Sequence, residues 1–301
     1  SFSGALIMDG ISHWTSFIVS IILCIIILIS RENPHAKGPQ FSEYIFLLMN
    51  SAVGMMIVAW SNDLIVTFIG IEVMSLCLYI LIALGNETRN SKEAAIKYFI
   101  LGSFASAIFL YGIALMYGTI GTTFIHEIIQ SARDIISINR VFLVGAALVA
   151  LGFAFKVSLF PFHTWTPDVY QGSGTPLTGY MATGVKVVSF VAFLRFMTTN
   201  ILGGDHSESF VATLQWIAVL TIIAGNVAAI LQNDLKRLLA YSSVAHSGYI
   251  LIGLIVAGAD GGQSIGASGV LFYLFAYAVM TLGAFGTVAV FERSADKPVM
   301  V

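Results

Sequence analysis

Nine apolar runs, most of about twenty residues, follow one another along this chain, near 11–30, 42–60, 63–84, 93–118, 141–164, 177–199, 210–231, 237–258 and 266–292. A run of that length, wound as a helix rising 1.5 Å per residue, crosses roughly 30 Å of hydrocarbon. Composition agrees: 57% of the 301 residues are hydrophobic, only 10% are charged, and the mean hydropathy is +0.90. Soluble domains carry roughly 25% charged residues, so this chain has too few to clothe a water-facing surface. The expected fold is an all-α membrane protein, a polytopic transmembrane helix bundle. Cys24 and Cys77 both fall inside apolar runs, which argues against a disulfide framework or a thiolate metal site. The chain opens on Ser1 and ends at Val301, and we expect it to be a fragment of a longer one.

The loops set an orientation. Arg31, Lys37, Arg89, Lys92, Lys236, Arg237, Arg293 and Lys297 fall on one side of this nine-span map, while Arg133 and Arg140, with Arg195 near a helix end, fall on the other. An excess of Lys and Arg marks the cytoplasmic face, so the N-terminus is expected outside. The fifth run is interrupted near its end by Ser158-Leu159-Phe160-Pro161, and Pro167, Gly172, Gly174 and Pro176 follow. Proline removes a backbone donor and kinks a helix. Broken backbone at membrane depth survives only against protein or a water-filled cavity. A short internal echo also runs through the chain. Asn62-Asp63-Leu64 precedes Tyr79-Ile80-Leu81-Ile82, and Asn233-Asp234-Leu235 precedes Tyr249-Ile250-Leu251-Ile252. The two copies start from opposite sides, as inverted repeats require.

Ionisable residues inside such runs cost roughly 2.5–3.5 kcal/mol each on insertion scales, so they are functional candidates by default. Glu72, Lys156 and Lys186 lie deep in theirs. A structural ion pair between helices is the bland alternative for these three. Lys97 is shallower and follows Glu93 by four residues, the spacing of a helical salt bridge; it can also snorkel to the interface. Arg195 reads as an anchor. His13, His35, His126 and His206 fall in or beside loops and read as solvated or interfacial. His163 stands just past the break, and His246 lies mid-span, where a packing role and a proton relay compete. Histidine suits relay because its unperturbed pKa of about 6.5 lies near neutrality.

A carboxylate close to a buried lysine keeps that lysine charged, and separating them lets burial neutralise it. The pattern therefore reads as a proton-handling membrane protein. There is no glycine-rich phosphate loop, cysteine cluster, paired-histidine metal spacing or nucleophile elbow. Ser103 and Ala107, or Gly102 and Ser106, are small residues four apart, a pattern best explained by helix packing.

Three stretches carry a family resemblance. Gly70-Ile71-Glu72-Val73-Met74-Ser75 through Leu81 resembles the glutamate-bearing helix of the antiporter-like membrane subunits of respiratory complex I. Glu93-Ala94-Ala95-Ile96-Lys97-Tyr98-Phe99 through Ser106 is similar to the same family, as is Phe155-Lys156 through Pro161-Phe162-His163-Thr164-Trp165-Thr166-Pro167-Asp168-Val169-Tyr170-Gln171-Gly172. The last ending, with the Lys97-Tyr98-Phe99 stretch, resembles the subunit N branch of NADH:quinone oxidoreductase more than the L and M branches. The resemblance implies a proton-translocating subunit in a bacterial cytoplasmic membrane or an equivalent energy-coupling membrane. It assigns the translocation residues to Glu72, Lys156 and Lys186, with Lys97, His163 and His246 as further polar positions. It implies no cofactor in this chain: NADH, flavin, iron–sulfur clusters and quinone belong to partner subunits. The partners are other membrane subunits of the complex, the lipid bilayer and protons, with no nucleic acid. It also implies inverted five-helix repeats, with 11–30 as a preceding helix, 42–199 as the first repeat and 210–292 as part of the second. Family members continue into a second broken helix that would follow Val301. A subunit of a multisubunit cation/proton antiporter shares this pattern, and a membrane scaffold whose buried charges only pair helices is the alternative of a different class.

Overall fold

The computed structural model describes residues 2–31, 41–85, 89–129, 139–199, 207–259 and 265–295; His35, Lys37, Arg133, His206 and Lys297 lie outside them. Among the described residues the chain is helical, with isolated bridges only, Leu6 with Ser61 and Asp63 with Phe124. The helices are α1 (Gly10–Ser30), α2 (Phe41–Trp60), α3 (Leu64–Gly85), α4 (Arg89–Ile120), α5 (Arg140–Lys156), α6 (Trp165–Gly172), α7 (Thr175–Tyr180), α8 (Lys186–Met197), α9 (Ser207–Ile230), α10 (Leu235–Ala259) and α11 (Ile265–Ala295). A π turn, Met181–Val185, joins α7 to α8, so the two form one crossing. Among the described residues, eight of the crossings are long and apolar enough to span a membrane unaided.

The ninth departs from the sequence expectation of a span over 141–164. Its helix, α5, stops at Lys156 after 17 residues, about 25 Å of rise. The stop is built into the residues that follow. Ser158 takes φ 61°, a left-handed conformation that no helix interior accepts, and Pro161 offers no amide proton. Several groups at the break find partners. The Phe160 N–H donates to Thr221 Oγ1 of α9 at 3.0 Å, the Trp165 indole donates to the Phe155 carbonyl at 3.2 Å, and Thr166 Oγ1 donates to Ser158 Oγ at 2.7 Å. The short α6 then completes the crossing. Protein groups thus take up part of the broken backbone's hydrogen bonding, in line with what apolar surroundings demand.

Polar contacts identify the two ends of the bundle. The bridges Leu6–Ser61 and Asp63–Phe124 gather one end; contacts of Asp168 with Lys97 and Arg237, and of Thr175 with Glu292, gather the other. α3 and α10 therefore start from opposite ends, and each echo carries a capping aspartate. Asp63 Oδ1 accepts from the N–H groups of Ile65 and Val66 at 2.7 and 3.1 Å, and Asp234 Oδ1 from the Arg237 N–H at 2.9 Å. In the stretch Thr175–Met197 every residue but Arg195 is buried, and it forms the axis of the bundle. Outward faces present Phe46, Trp216, Ile230 and Phe272, which suits lipid. Between apolar helices in lipid, association rests on close packing: a Cβ on Gly225 would lie 2.5 Å from the Ala245 amide, so α9 and α10 meet at a contact that only glycine permits.

Candidate functional site

Two buried lysines organise the interior. Lys156, 3% exposed, is the last residue of α5, so it sits at the partially negative end of a helix macrodipole, which favours a cation. Its ammonium donates to Ser75 Oγ at 2.6 Å and lies 5.8 Å from the centroid of the Tyr98 ring, within cation–π range. Tyr98 in turn stacks on Trp165 at 4.6 Å, which ties the aromatic floor of the pocket to the helix beyond the break. Ser75 donates to the Ile71 carbonyl at 2.5 Å. One turn before it on α3, the half-buried Glu72 accepts a hydrogen bond from Ser106 of α4. Glu72 and Lys156 form no direct ion pair: Lys156 is held by Ser75 and Glu72 by Ser106.

Lys186, 1% exposed, directly follows the π turn, a helix irregularity frequent at functional sites. Its ammonium donates to the Ser243 carbonyl at 2.6 Å and to Ser247 Oγ at 2.7 Å, both on α10. From there the network continues into α11. Ser243 Oγ meets Tyr277 OH at 2.7 Å, and His246 Nδ1 meets Tyr273 OH at 2.6 Å. The His246 ring lies 5.2 Å from that of Tyr277. The structure thus brings Lys186 and His246 into one polar cluster.

The other two proposed positions stand apart. His163 is half-buried and stacks on Phe160 at 5.6 Å, with Nδ1 buried and unpartnered; Lys156 bonds to Ser75 instead. Lys97 is 41% exposed and bridges Glu93 at 2.8 Å and Asp168 at 2.7 Å. Ser106, which marks the level of Glu72, lies nine residues further along α4, about 13 Å at helical rise. Lys97 therefore belongs to the end of the bundle. Arg195 is the anchor its position suggested, forked onto Asp9 at 2.9 and 2.7 Å.

The groups overlooked in the sequence are mostly hydroxyls. Ser75 lies three residues after Glu72, Ser243 and Ser247 are four apart and flank His246, and Tyr273 and Tyr277 are four apart. Each spacing puts its members on one helix face, and that was the available signal. Ser106 reads as a packing residue by sequence and additionally binds Glu72. No group of three or more His, Cys, Asp or Glu among the described residues is placed to hold a metal.

Comparison with known proteins places these features in a context. Residues 61–298 match the family model described as NADH:quinone oxidoreductase/Mrp antiporter, TM. A NADH-quinone oxidoreductase subunit N of Bdellovibrio bacteriovorus is 53% identical over 294 residues, covering 98% of this chain and 60% of the relative. One from Salinibacter ruber is 44% identical, covering 88% and 52%. The chain spans about half to three fifths of the length of these curated relatives. Among solved structures, a chain of Thermus thermophilus respiratory complex I superposes with a TM-score of 0.78 at 33% identity, covering 95% of this chain and 58% of that one. A chain of the Mrp complex from a Dietzia species shares the fold alone, with a TM-score of 0.80 at 21% identity over 96% of this chain and 52% of that one.

Proposed function

Since this chain is an integral, multi-pass membrane protein that belongs to the NADH:quinone oxidoreductase/Mrp antiporter transmembrane family, we propose that it carries protons across an energy-coupling membrane as part of a subunit of NADH:quinone oxidoreductase. The observation that carries this reading is the pair Lys156 and Lys186, 3% and 1% exposed in an apolar bundle and without an ion-pair partner among the described residues. A membrane scaffold has no need of two amines that cost several kcal/mol each to bury. A proton carrier needs groups whose charge is costly yet supported by hydroxyls and carbonyls, because such a group gains and loses a proton with small changes around it.

In this reading Glu72 receives a proton next to Ser106, Ser75 stands between Glu72 and Lys156, and the break beyond Lys156 admits water. Ser158 and Thr166 line that break. Lys186 follows on the bundle axis, and Ser243, Ser247, Tyr277 and His246 continue the path into α10 and α11. His163, with its unpartnered nitrogen by the break, is a side position open to water. Residues 42–199 act as one five-helix repeat and 210–292 as part of a second. Redox chemistry, with NADH, flavin, iron–sulfur clusters and quinone, resides in partner subunits. The high identity to subunit N relatives favours this over an antiporter assembly, whose solved Dietzia chain is only 21% identical.

The test introduces Glu72→Gln, Lys156→Ala and Lys186→Ala separately into the full-length subunit in its complex. Proton translocation normalised to assembled complex falls at least tenfold while assembly is retained. A scaffold gives the reverse, with assembly lost first, and wild-type translocation in the lysine variants ends the reading.

A further inference from the structure

Asp168 lies outside the buried path, yet it joins three elements. It sits on α6, the short helix that resumes the crossing after the break. Its Oδ2 accepts from Lys97 of α4 at 2.7 Å and its Oδ1 from Arg237 of α10 at 2.8 Å. Arg237 is held further by Gln171 Oε1 at 3.0 Å and Gln232 Oε1 at 3.1 Å, and Gln171 Nε2 donates to Asp234 Oδ2 at 3.1 Å. Beside them Lys236 donates to the Ser173 carbonyl at 2.6 Å. Close packing adds to these bonds: a Cβ on Gly172 would lie 2.6 Å from the Ala94 Cβ and 2.7 Å from the Asn90 carbonyl, so α6 also rests directly on α4.

We propose that Asp168 is a positioning residue, the centre of a polar latch that clamps α6 between α4 and α10 and so fixes both lysine pockets relative to each other; this rests on the proton-carrying function proposed above. α6 begins at Trp165, whose ring stacks under Tyr98 and whose indole holds the Phe155 carbonyl next to Lys156. α10 carries Ser243 and Ser247, which hold Lys186. A short helix of eight residues preceded by broken backbone has little stability of its own, so its place is set by what grips it. One carboxylate taking two cations from two different helices supplies that grip, because each bond is charge-assisted and directional. Lys97 is thereby given the work of holding rather than carrying. An isolated exposed ion pair contributes little, but these charges share one acceptor and form a network.

The experiment uses the full-length subunit in its complex and reads two quantities: amide hydrogen exchange in 165–172 and proton translocation per assembled complex. Asp168→Asn keeps the shape and removes the charge. Exchange in 165–172 rises at least fivefold and translocation falls at least threefold, while Asp168→Glu restores most of both. Lys97→Gln, which leaves Arg237 in place, gives a smaller change in the same direction and is less than additive with Asp168→Asn. Should Asp168→Asn prevent assembly, the Lys97→Gln measurement decides alone. Wild-type exchange or wild-type translocation in Asp168→Asn, or full additivity with Lys97→Gln, overturns the latch. Lys156→Ala in the same series separates the two ideas: wild-type translocation there ends the proton reading itself, whereas its loss alongside unaffected Asp168→Asn ends only the latch.

Discussion

The two lysine pockets solve one problem in different ways. Lys156 ends a helix: the macrodipole, a single serine hydroxyl and the face of Tyr98 support its charge, and a carboxylate stands one turn from that serine. Lys186 lies inside the crossing Thr175–Met197, in which every residue but Arg195 is buried. Its support is a backbone carbonyl and a hydroxyl, offered by a neighbouring helix through residues four apart. The first pocket therefore depends on one replaceable side-chain contact near an acid. The second has a contact that mutation cannot remove, and hydroxyls and a histidine lie beyond it. A proton carrier profits from such inequality, since two carriers with different support hold their protons with different affinity.

The comparison breaks most readily at the serines. Ser75→Ala removes the one hydrogen bond Lys156 makes among the described residues. A buried charged group left unpaired costs roughly 2–3 kcal/mol, and we expect that loss in thermal stability of the solubilised full-length subunit, together with a strong loss of translocation. Ser247→Ala leaves the Ser243 carbonyl on Lys186 and should cost about 1 kcal/mol. Equal costs would show that the pockets are supported alike.

A second test asks whether the break belongs to the first pocket alone. Thr221 Oγ1 is the acceptor for the Phe160 N–H. Thr221→Val keeps the shape and leaves that amide without its partner, at roughly 1–2 kcal/mol. Hydrogen exchange should rise at 157–164 and stay unchanged around Lys186. A change spread equally over both regions would mean that the break and the axis move as one body.

Much of this architecture was legible in the residues, and its omissions share a cause. Apolar run length gave the crossings, because only satisfied backbone survives in hydrocarbon. Pro161 and the glycines located the interruption, although the helix stops at Lys156, several residues earlier than the hydropathy of 141–164 suggests. Hydropathy is blind to Ser158, whose φ of 61° ends the helix. The deep lysines and Glu72 stood out since charge in an apolar run is rare. Ser75, Ser106, Ser243 and Ser247 did not, because serine is common in membrane helices and reads as a packing residue unless its neighbour across the interface is known. Lys97 is the reverse case. Its type and place drew attention, and its spacing from Glu93 already contained the salt bridge it makes; Asp168, 71 residues away, was beyond any local pattern.

The smallest effect concerns how the axis itself is held. The crossing that carries Lys186 ends near Arg195, which forks onto Asp9, the N-cap of α1, and reaches the Ala59 carbonyl at 3.4 Å. Burial raises the Asp9 carboxyl, but the Arg195 guanidinium and the Ser12 N–H outweigh it and leave it below its ordinary value. A carboxyl whose pKa falls on folding stabilises the fold fully above its unfolded value, and that contribution is lost as pH falls through the lower folded value. Asparagine caps helices about as well as aspartate, so Asp9→Asn isolates the charge. With the Asp9 side chain 36% exposed, solvent screening holds the effect to about 0.5–1 kcal/mol. Asp9→Ala also loses the cap and should cost about 1 kcal/mol more. Thermal unfolding of the solubilised full-length subunit should show a constant gap between wild type and Asp9→Asn from neutral pH down to the ordinary carboxylate range. The gap should close below it as Asp9 takes up its proton. A gap that persists at the acid end would mean that the carboxyl contributes shape rather than charge, and the axis would then be anchored by packing, as the Lys156 half of the comparison is not.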